Sequence, residues 1–228
     1  MTADDQTDSE KARQGREFQQ NVLSWFNQAY YFEKKQTWEN TRWMGVPLYK
    51  TPTDLWVYQE ILVETRPSVI VETGTANGGS ALYLAMIGDL IGGVRVITVD
   101  VTNQSAGERL PKHPDITYLS GSSKDPQVLA AIRSALRPED RVMVLLDSDH
   151  SEAHVRSELA LYGPLVTSGC YLIVEDTNVN GHPVYPLHGP GPMEAVQGWL
   201  PAHPEFEVDR RREKFMLTFN PHGYLRRK

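Results

Sequence analysis

Apolar positions along this chain follow two rhythms. From Ser68 onward, short and nearly continuous apolar runs alternate with segments whose apolar residues recur every three or four positions. An unbroken apolar run of strand length marks a strand covered on both faces, and the wider spacing marks a helix that covers it. The pattern predicts strands at Ser68 to Glu72, Val94 to Asp100, Ile116 to Ser120, Arg141 to Asp147 and Tyr171 to Glu175. Helices are predicted at Ser80 to Ile91, Pro126 to Ala135 and Glu152 to Leu161. Such alternation implies an α/β fold with a doubly wound, mostly parallel sheet. Near the end, Phe206 to Asp209 and Phe215 to Phe219 flank a charged turn and read as an antiparallel pair added at the sheet edge.

The N-terminal part has a different texture. Residues 1–15 are charged and polar without hydrophobic period, which predicts a frayed tail. Phe18, Val22, Trp25, Phe26 and Tyr30 then lie on one stripe of a helix. That stripe must bury against the main body, as a plain core-covering helix, which is the preferred reading, or against a second copy of the chain. A homo-oligomer is expected. With the segment from Thr41 to Val46 the helix reads as a lid that excludes water. After Pro52 a further helix carries Leu55, Tyr58, Ile61 and Leu62, with Thr53 or Asp54 as its cap. The division is a tail and helical lid over 1–50 and an α/β domain over 51–228.

Composition narrows the class. A chain of 228 residues can bury one large core. It has no run of about 18 apolar residues, and its start lacks the basic and apolar regions of a secretion signal, so a cytoplasmic protein without a membrane span is expected. A net charge of −6 argues against nucleic acid as partner, and the basic clusters Arg210-Arg211-Arg212 and Arg226-Arg227-Lys228 read as solvated surface. The single cysteine, Cys170, borders an apolar run and reads as a buried structural thiol.

Candidate chemistry sits at the strand ends. Ends of adjacent parallel strands converge on one rim of a sheet, so Asp147, Glu175 and Asp176 are expected to meet there. Three crowded carboxylates repel one another, and a hard divalent cation relieves that cost. Helix capping is the competing explanation. It accounts for Asp147 better than for the Glu175-Asp176 pair, which Pro and Gly follow. A glycine-bearing turn, Glu72 to Ser80, follows the first strand, where backbone approaches a ligand closely and a helix N-terminus faces it. Asp100 ends the second strand, about where an acid would hold ribose hydroxyls. The loop has no Gly-Lys-Ser or Gly-Lys-Thr, and its spacing Gly74-x-x-x-Gly78-Gly79 departs from the dinucleotide pattern, although a nicotinamide dinucleotide stays open. S-adenosylmethionine, which needs no pyrophosphate site, suits it.

Several stretches together resemble the class I, Rossmann-like, metal-dependent methyltransferases of the rhamnosyl O-methyltransferase and cephalosporin hydroxylase family. They are Tyr58-Gln59-Glu60-Ile61, Glu72-Thr73-Gly74, Leu146-Asp147-Ser148-Asp149-His150-Ser151, Val174-Glu175-Asp176-Thr177-Asn178, Asn180-Gly181-His182-Pro183 and Gly189-Pro190-Gly191-Pro192. The resemblance spans about Trp43 to Tyr224. It implies that Glu72, Gly74 and Gly78 surround the methionyl part of S-adenosylmethionine and that Asp100 binds its ribose. It also implies that Gly121, Ser122 and Ser123 border the adenine, that Asp147, Glu175 and Asp176 hold Mg²⁺, and that His150 is the catalytic base. A capping histidine is the alternative for His150. Asp149 either replaces Asp147 as ligand or orients His150. His154 falls to the surface or behind the site, His182 to the substrate side, and Tyr185, Trp43 and Met44 are candidates for the pocket wall.

The expected function is Mg²⁺-dependent transfer of a methyl group to a hydroxyl of a rhamnose-like deoxysugar on a natural product, such as an antibiotic, or on a glycolipid. The alternatives are O-methylation of a catechol-like phenol or a cephem, a non-catalytic nucleoside-binding subunit, and a dinucleotide-dependent oxidoreductase.

Overall fold

The computed structural model describes residues 3–33, 37–102 and 110–228. Strands β1 (Arg42–Trp43) and β2 (Val46–Pro47) form a small antiparallel hairpin. The central sheet contains β3 (Val69–Thr73), β4 (Arg95–Asp100), β5 (Ile116–Ser120), β6 (Val142–Leu146), β7 (Tyr171–Val174), β8 (Phe206–Val208) and β9 (Tyr224–Arg227). Their order across the sheet is β5-β4-β3-β6-β7-β9-β8. The first five of these are parallel, and β9 runs antiparallel to both β7 and β8.

Alternation along the strands builds two cores. Val69, Val71, Val142, Val144, Leu172 and Val174 face α4 (Pro126–Ala135), α5 (Glu152–Tyr162) and α6 (Pro192–Trp199). Ile70, Met143, Leu145, Tyr171 and Ile173 face α2 (Pro52–Thr65) and α3 (Gly79–Leu90). The doubly wound expectation holds. The chain leaves β3 toward β4 and later returns to the other side of β3 at β6, so the crevice for a ligand opens at the carboxyl ends of β3 and β6.

Gly74 marks that crevice. Its φ is +89°, and an added Cβ would lie 1.8 Å from the carbonyl oxygen of Asp147. Only glycine lets the ends of β3 and β6 approach this closely.

Several expectations need correction. The tail is helical, since α1 spans Ala3–Tyr31. Its stripe is not covered in the single chain, where Phe18 is 70% and Trp25 68% exposed. At the C-terminal edge Phe206 to Asp209 does supply β8, but its strand partner is Tyr224–Arg227 rather than Phe215 to Phe219. Phe215 and Met216 lie in a turn and stay exposed, while Thr218 and Phe219 are held by Asp54. The basic clusters are surface only in part: Arg210, Arg211 and Lys228 are exposed, Arg226 and Arg227 are half-buried, and Arg212 is buried against Asp209, Glu64 and the Tyr171 hydroxyl.

The cap of α2 is Thr51, whose hydroxyl accepts from the Asp54 amide at 3.1 Å. Asp54 is instead a buried acceptor. It takes hydrogen bonds from Thr51 (2.8 Å), Thr218 (2.5 Å), the Phe219 amide (2.9 Å) and Tyr224 (2.8 Å). Asp54→Ala strands these donors in the interior. It is expected to cost roughly 3 kcal/mol or more, read as a lower urea midpoint at unchanged slope.

Candidate functional site

A cavity of about 620 Å³ opens at the carboxyl ends of the parallel strands. Gly74, Asp100, Gly121, Ser122, Ser123, Asp147, His150 and Asp176 all line it. The cofactor and metal residues expected from sequence thus come to one place, with two exceptions on the cofactor side and one on the metal side. Glu72 is fully buried behind the loop, where its Oε2 accepts from Thr98 at 2.7 Å. Burial pushes its carboxyl up to about 7, against the pull of Lys50, Ser80 and Thr98. Gly78 is the left-handed cap of α3 (φ +74°) and packs near Pro111, away from the cavity wall.

At one end of the cavity Asp100 shapes the loop. Its Oδ2 accepts from the Ala76 amide at 2.9 Å and its Oδ1 from the Thr102 amide at 3.0 Å. Each carboxylate oxygen keeps a further lone pair for a ligand. Beside it a polar chain runs under the floor. His154 Nε2 lies 3.2 Å from Ser123 Oγ and 3.1 Å from Ser148 Oγ, and Ser148 donates to the buried Glu158 at 2.7 Å. His154 therefore lines the cavity rather than the outer surface.

The other end is acidic. Strand β6 ends at Asp147 and β7 at the Glu175-Asp176 pair. The amide of Asp147 donates to the Thr73 carbonyl and that of Glu175 to the Leu146 carbonyl, which locks both acids to the sheet rim. Asp176 has a left-handed backbone (φ 54°) and its amide donates to Asn220 Oδ1 at 3.1 Å, so its side chain turns away from its neighbour's. One atom each from Asp147, His150 and Asp176 lies within 4.8 Å of the other two. His150 Nε2 is 3.1 Å from Asp176 Oδ2.

Glu175 turns inward instead. Its Oε2 meets the ammonium of Lys50 at 2.5 Å, and the same ammonium donates to Asp147 Oδ2 at 2.7 Å. Lys50 is 4% exposed. Burial works against its charge, yet Asp147, Glu175 and Glu72 outweigh it and raise its pKa. Burial, with Asp147 adding, drives the Glu175 carboxyl well above the ordinary range and also raises that of Asp176. Glu175 Oε1 is buried without a hydrogen-bond partner among the described residues. Acids that are costly to ionise, with oxygen lone pairs left over, fit a hard divalent cation.

Asp149 lines the same cavity, and its side chain is engaged by Ser151. Its Oδ1 accepts from the amide (2.8 Å) and hydroxyl (2.5 Å) of Ser151, bonds that hold its carboxyl below the usual range. It organises the turn that leads into α5, whose N-cap is Ser151.

Beyond the acids the wall is aromatic. Tyr31, Trp38, Tyr49 and Phe219 line the main cavity, and a neighbouring depression of about 490 Å³ shares Tyr31, Trp38, His150 and Asp176 and adds Phe32, Tyr185 and His188. Tyr31 stacks on Trp38 with centroids 5.3 Å apart. Tyr185, one of the candidates, is thus a wall residue of this second depression, though not of the main cavity. Trp43 is not, because it packs edge-on against Tyr83, and Met44 projects from the β1–β2 turn. His182 pairs with Glu194 at 2.8 Å and lines a separate depression beside α1.

The family described as rhamnosyl O-methyltransferase/CmcI matches residues 35–228. The chain belongs to that family. Rhamnosyl O-methyltransferases of Mycobacterium tuberculosis and Mycobacterium bovis are 43% identical to it over 82% of this chain and 78% of their own. That of Mycobacterium leprae is 41% identical over 84% and 85%. A solved structure of CmcI with Mg and S-adenosylmethionine is similar over 83% of this chain and 77% of that one, with a TM-score of 0.63 and 23% identity. An O-methyltransferase from Bacillus cereus is similar over 69% and 72%, with a TM-score of 0.52 and 18% identity. At these identities the structural likeness concerns the fold, and it confirms the Rossmann-like expectation for this member of the rhamnosyl O-methyltransferase/CmcI family.

Proposed function

We propose that this chain transfers a methyl group from S-adenosylmethionine to a hydroxyl of a rhamnose-like deoxysugar carried by a glycolipid or another natural product, with Mg²⁺ at the acidic rim. The observation that carries the reading is the continuity of one cavity from Gly74 and Asp100 to the group of Asp147, His150 and Asp176. A donor held at the first end would share this cavity with an acceptor held at the second. Family membership, with relatives named for rhamnose, favours the sugar.

When bound, S-adenosylmethionine supplies an electrophilic methyl on sulfonium, and a divalent cation supplies positive charge that makes a hydroxyl more acidic. The chain's residues do the rest. Asp100 accepts from the ribose hydroxyls, and the floor of Ser122 and Ser123 borders the base. Asp147 and Asp176 hold the cation, with Glu175 behind them. His150 removes the acceptor proton. Tyr31, Trp38 and Tyr185 offer ring faces to the apolar side of a sugar and keep water out. The acceptor is a small glycosylated molecule, and the work is done in the cytoplasm.

Mass spectrometry of products from a panel of rhamnosylated acceptors tests the reading. A mass gain of one methyl that requires the sugar supports it, and methylation of catechols or cephems alone would overturn the sugar assignment. Asp100→Ala is expected to weaken S-adenosylhomocysteine binding by roughly 1.5–3 kcal/mol, the worth of charge-assisted hydrogen bonds. Titration calorimetry reads this directly, and an unchanged affinity would mean that Asp100 serves only the Ala76 and Thr102 amides.

A further inference from the structure

We infer that Lys50 is the resident counter-cation of the acidic rim, holding Asp147 and Glu175 in place before metal arrives and limiting how tightly metal then binds. The inference rests on the proposed Mg²⁺ site and goes beyond it, to a residue outside the ligand set.

Three observations carry it. Lys50 is nearly inaccessible, yet it makes two short ion pairs, one to the end of β6 and one to the end of β7. Its backbone is fixed at the entrance of α2, next to the Thr51 cap, and its amide donates to the Leu48 carbonyl. An ammonium placed just ahead of a helix N-terminus meets the unfavourable end of the helix dipole, so the site and not the helix accounts for its position. Finally, the charges complement one another. Asp147, Glu175 and Asp176 carry three negative charges when ionised, and Lys50 with one divalent cation supplies three positive ones.

Two consequences follow from elementary electrostatics. Without Lys50 the metal-free rim leaves the buried Glu175 carboxylate, with the partly exposed Asp147 beside it, without a counter-charge, which is destabilising. With Lys50 present, an incoming cation meets a fixed positive charge that shares Asp147 with it, so the affinity for metal is lower than the carboxylates alone would give. Lys50 is a positioning residue, and it also ties Tyr49, the adjacent cavity wall residue, to the metal rim.

The test compares wild type, Lys50→Met and Lys50→Arg for Mg²⁺ affinity by titration calorimetry and for thermal midpoint in chelator and in excess Mg²⁺. Methionine keeps the bulk and removes the charge; arginine keeps the charge. Lys50→Met is expected to lower the metal-free midpoint by roughly 6–20 °C, the shift for a broken buried ion pair in a domain of this size. It is expected to bind Mg²⁺ about tenfold tighter, as removal of a nearby like charge implies, and so to recover more of its midpoint in Mg²⁺ than wild type gains. Lys50→Arg should stay near wild type in both. Weaker or unchanged Mg²⁺ binding by Lys50→Met, or equal loss of midpoint with and without metal, would overturn the inference. If Lys50→Met does not fold in either medium, the double variant Lys50→Met with Glu175→Gln decides, because it removes one charge of each sign. Recovery of folding supports the counter-cation role, and failure overturns it. Wild type serves as the control for the metal site itself. Should wild type bind no Mg²⁺, the site assignment fails, whereas a normal wild-type isotherm with an unaltered Lys50→Met isotherm fails only the role given to Lys50.

Discussion

Asp176→Asn is expected to reduce methyl transfer by at least about 10³-fold while leaving the fold intact, and a chelator is expected to silence the wild-type enzyme to a similar degree. A bound cation contributes several kcal/mol of charge stabilisation in reactions of this kind, which sets that scale. Asparagine is the informative replacement because the Asp176 backbone has a positive φ, which asparagine tolerates and alanine resists. Its amide bond to Asn220 is also preserved. Glu175→Ala should be equally inactive, but its meaning is mixed. Glu175 is buried and partners Lys50, so its loss disturbs stability along with the metal site. Asp176, beside His150 and facing the cavity, separates the two effects. Full activity of Asp176→Asn, or of wild type in chelator, would remove the cation from the mechanism.

How much of this was legible in the sequence depends on the distance over which a signal acts. The central parallel strands were legible because they are buried on both faces and largely apolar, as Val142 to Leu146 shows. The acids at their ends were legible because parallel strands end on a common rim. What failed was decided by contacts between distant segments that leave no local pattern. Phe215 to Phe219 has the composition of a strand, but Asp54, more than 160 residues earlier, takes the Thr218 hydroxyl and the Phe219 amide. Arg226 and Arg227 look like surface charge, yet they belong to a strand between β7 and β8. The stripe on α1 was read as buried because amphipathic period predicts a partner without saying that this chain provides it.

The site repeats the lesson. Gly74, Asp100 and the acid pair announce themselves locally, whereas Lys50 carries no motif and gains its place from carboxylates about 100 and 125 residues away. The faint signal was a lysine directly ahead of a helix start, where a positive charge is out of place. His154 had a better one, its i,i+4 spacing to Glu158, a pair that lies 3.4 Å apart.

His150→Ala is expected to lower the maximal rate by about 10²–10⁴-fold, the usual contribution of a general base, with cofactor affinity little changed. The geometry makes this a test between two roles, since His150 is one of the three residues whose atoms converge and lies 3.1 Å from Asp176. As a ligand it would be lost together with metal affinity. As the base it would be lost with Mg²⁺ binding nearly unchanged, because Mg²⁺ prefers carboxylate oxygens to imidazole. The pH profile divides them further. A base must be unprotonated to act, so the parent rate should fall on the acid side and the fall should disappear from the residual activity of His150→Ala. Asp176, whose carboxyl is raised by burial, also takes up a proton as pH falls, and that loss would persist in the variant. A variant that keeps its rate, or that keeps the whole acid limb, would leave the hydroxyl activated by the cation alone. One that loses Mg²⁺ binding would move His150 into the ligand set, in the place the sequence reserved for Glu175, whose carboxylate faces Lys50.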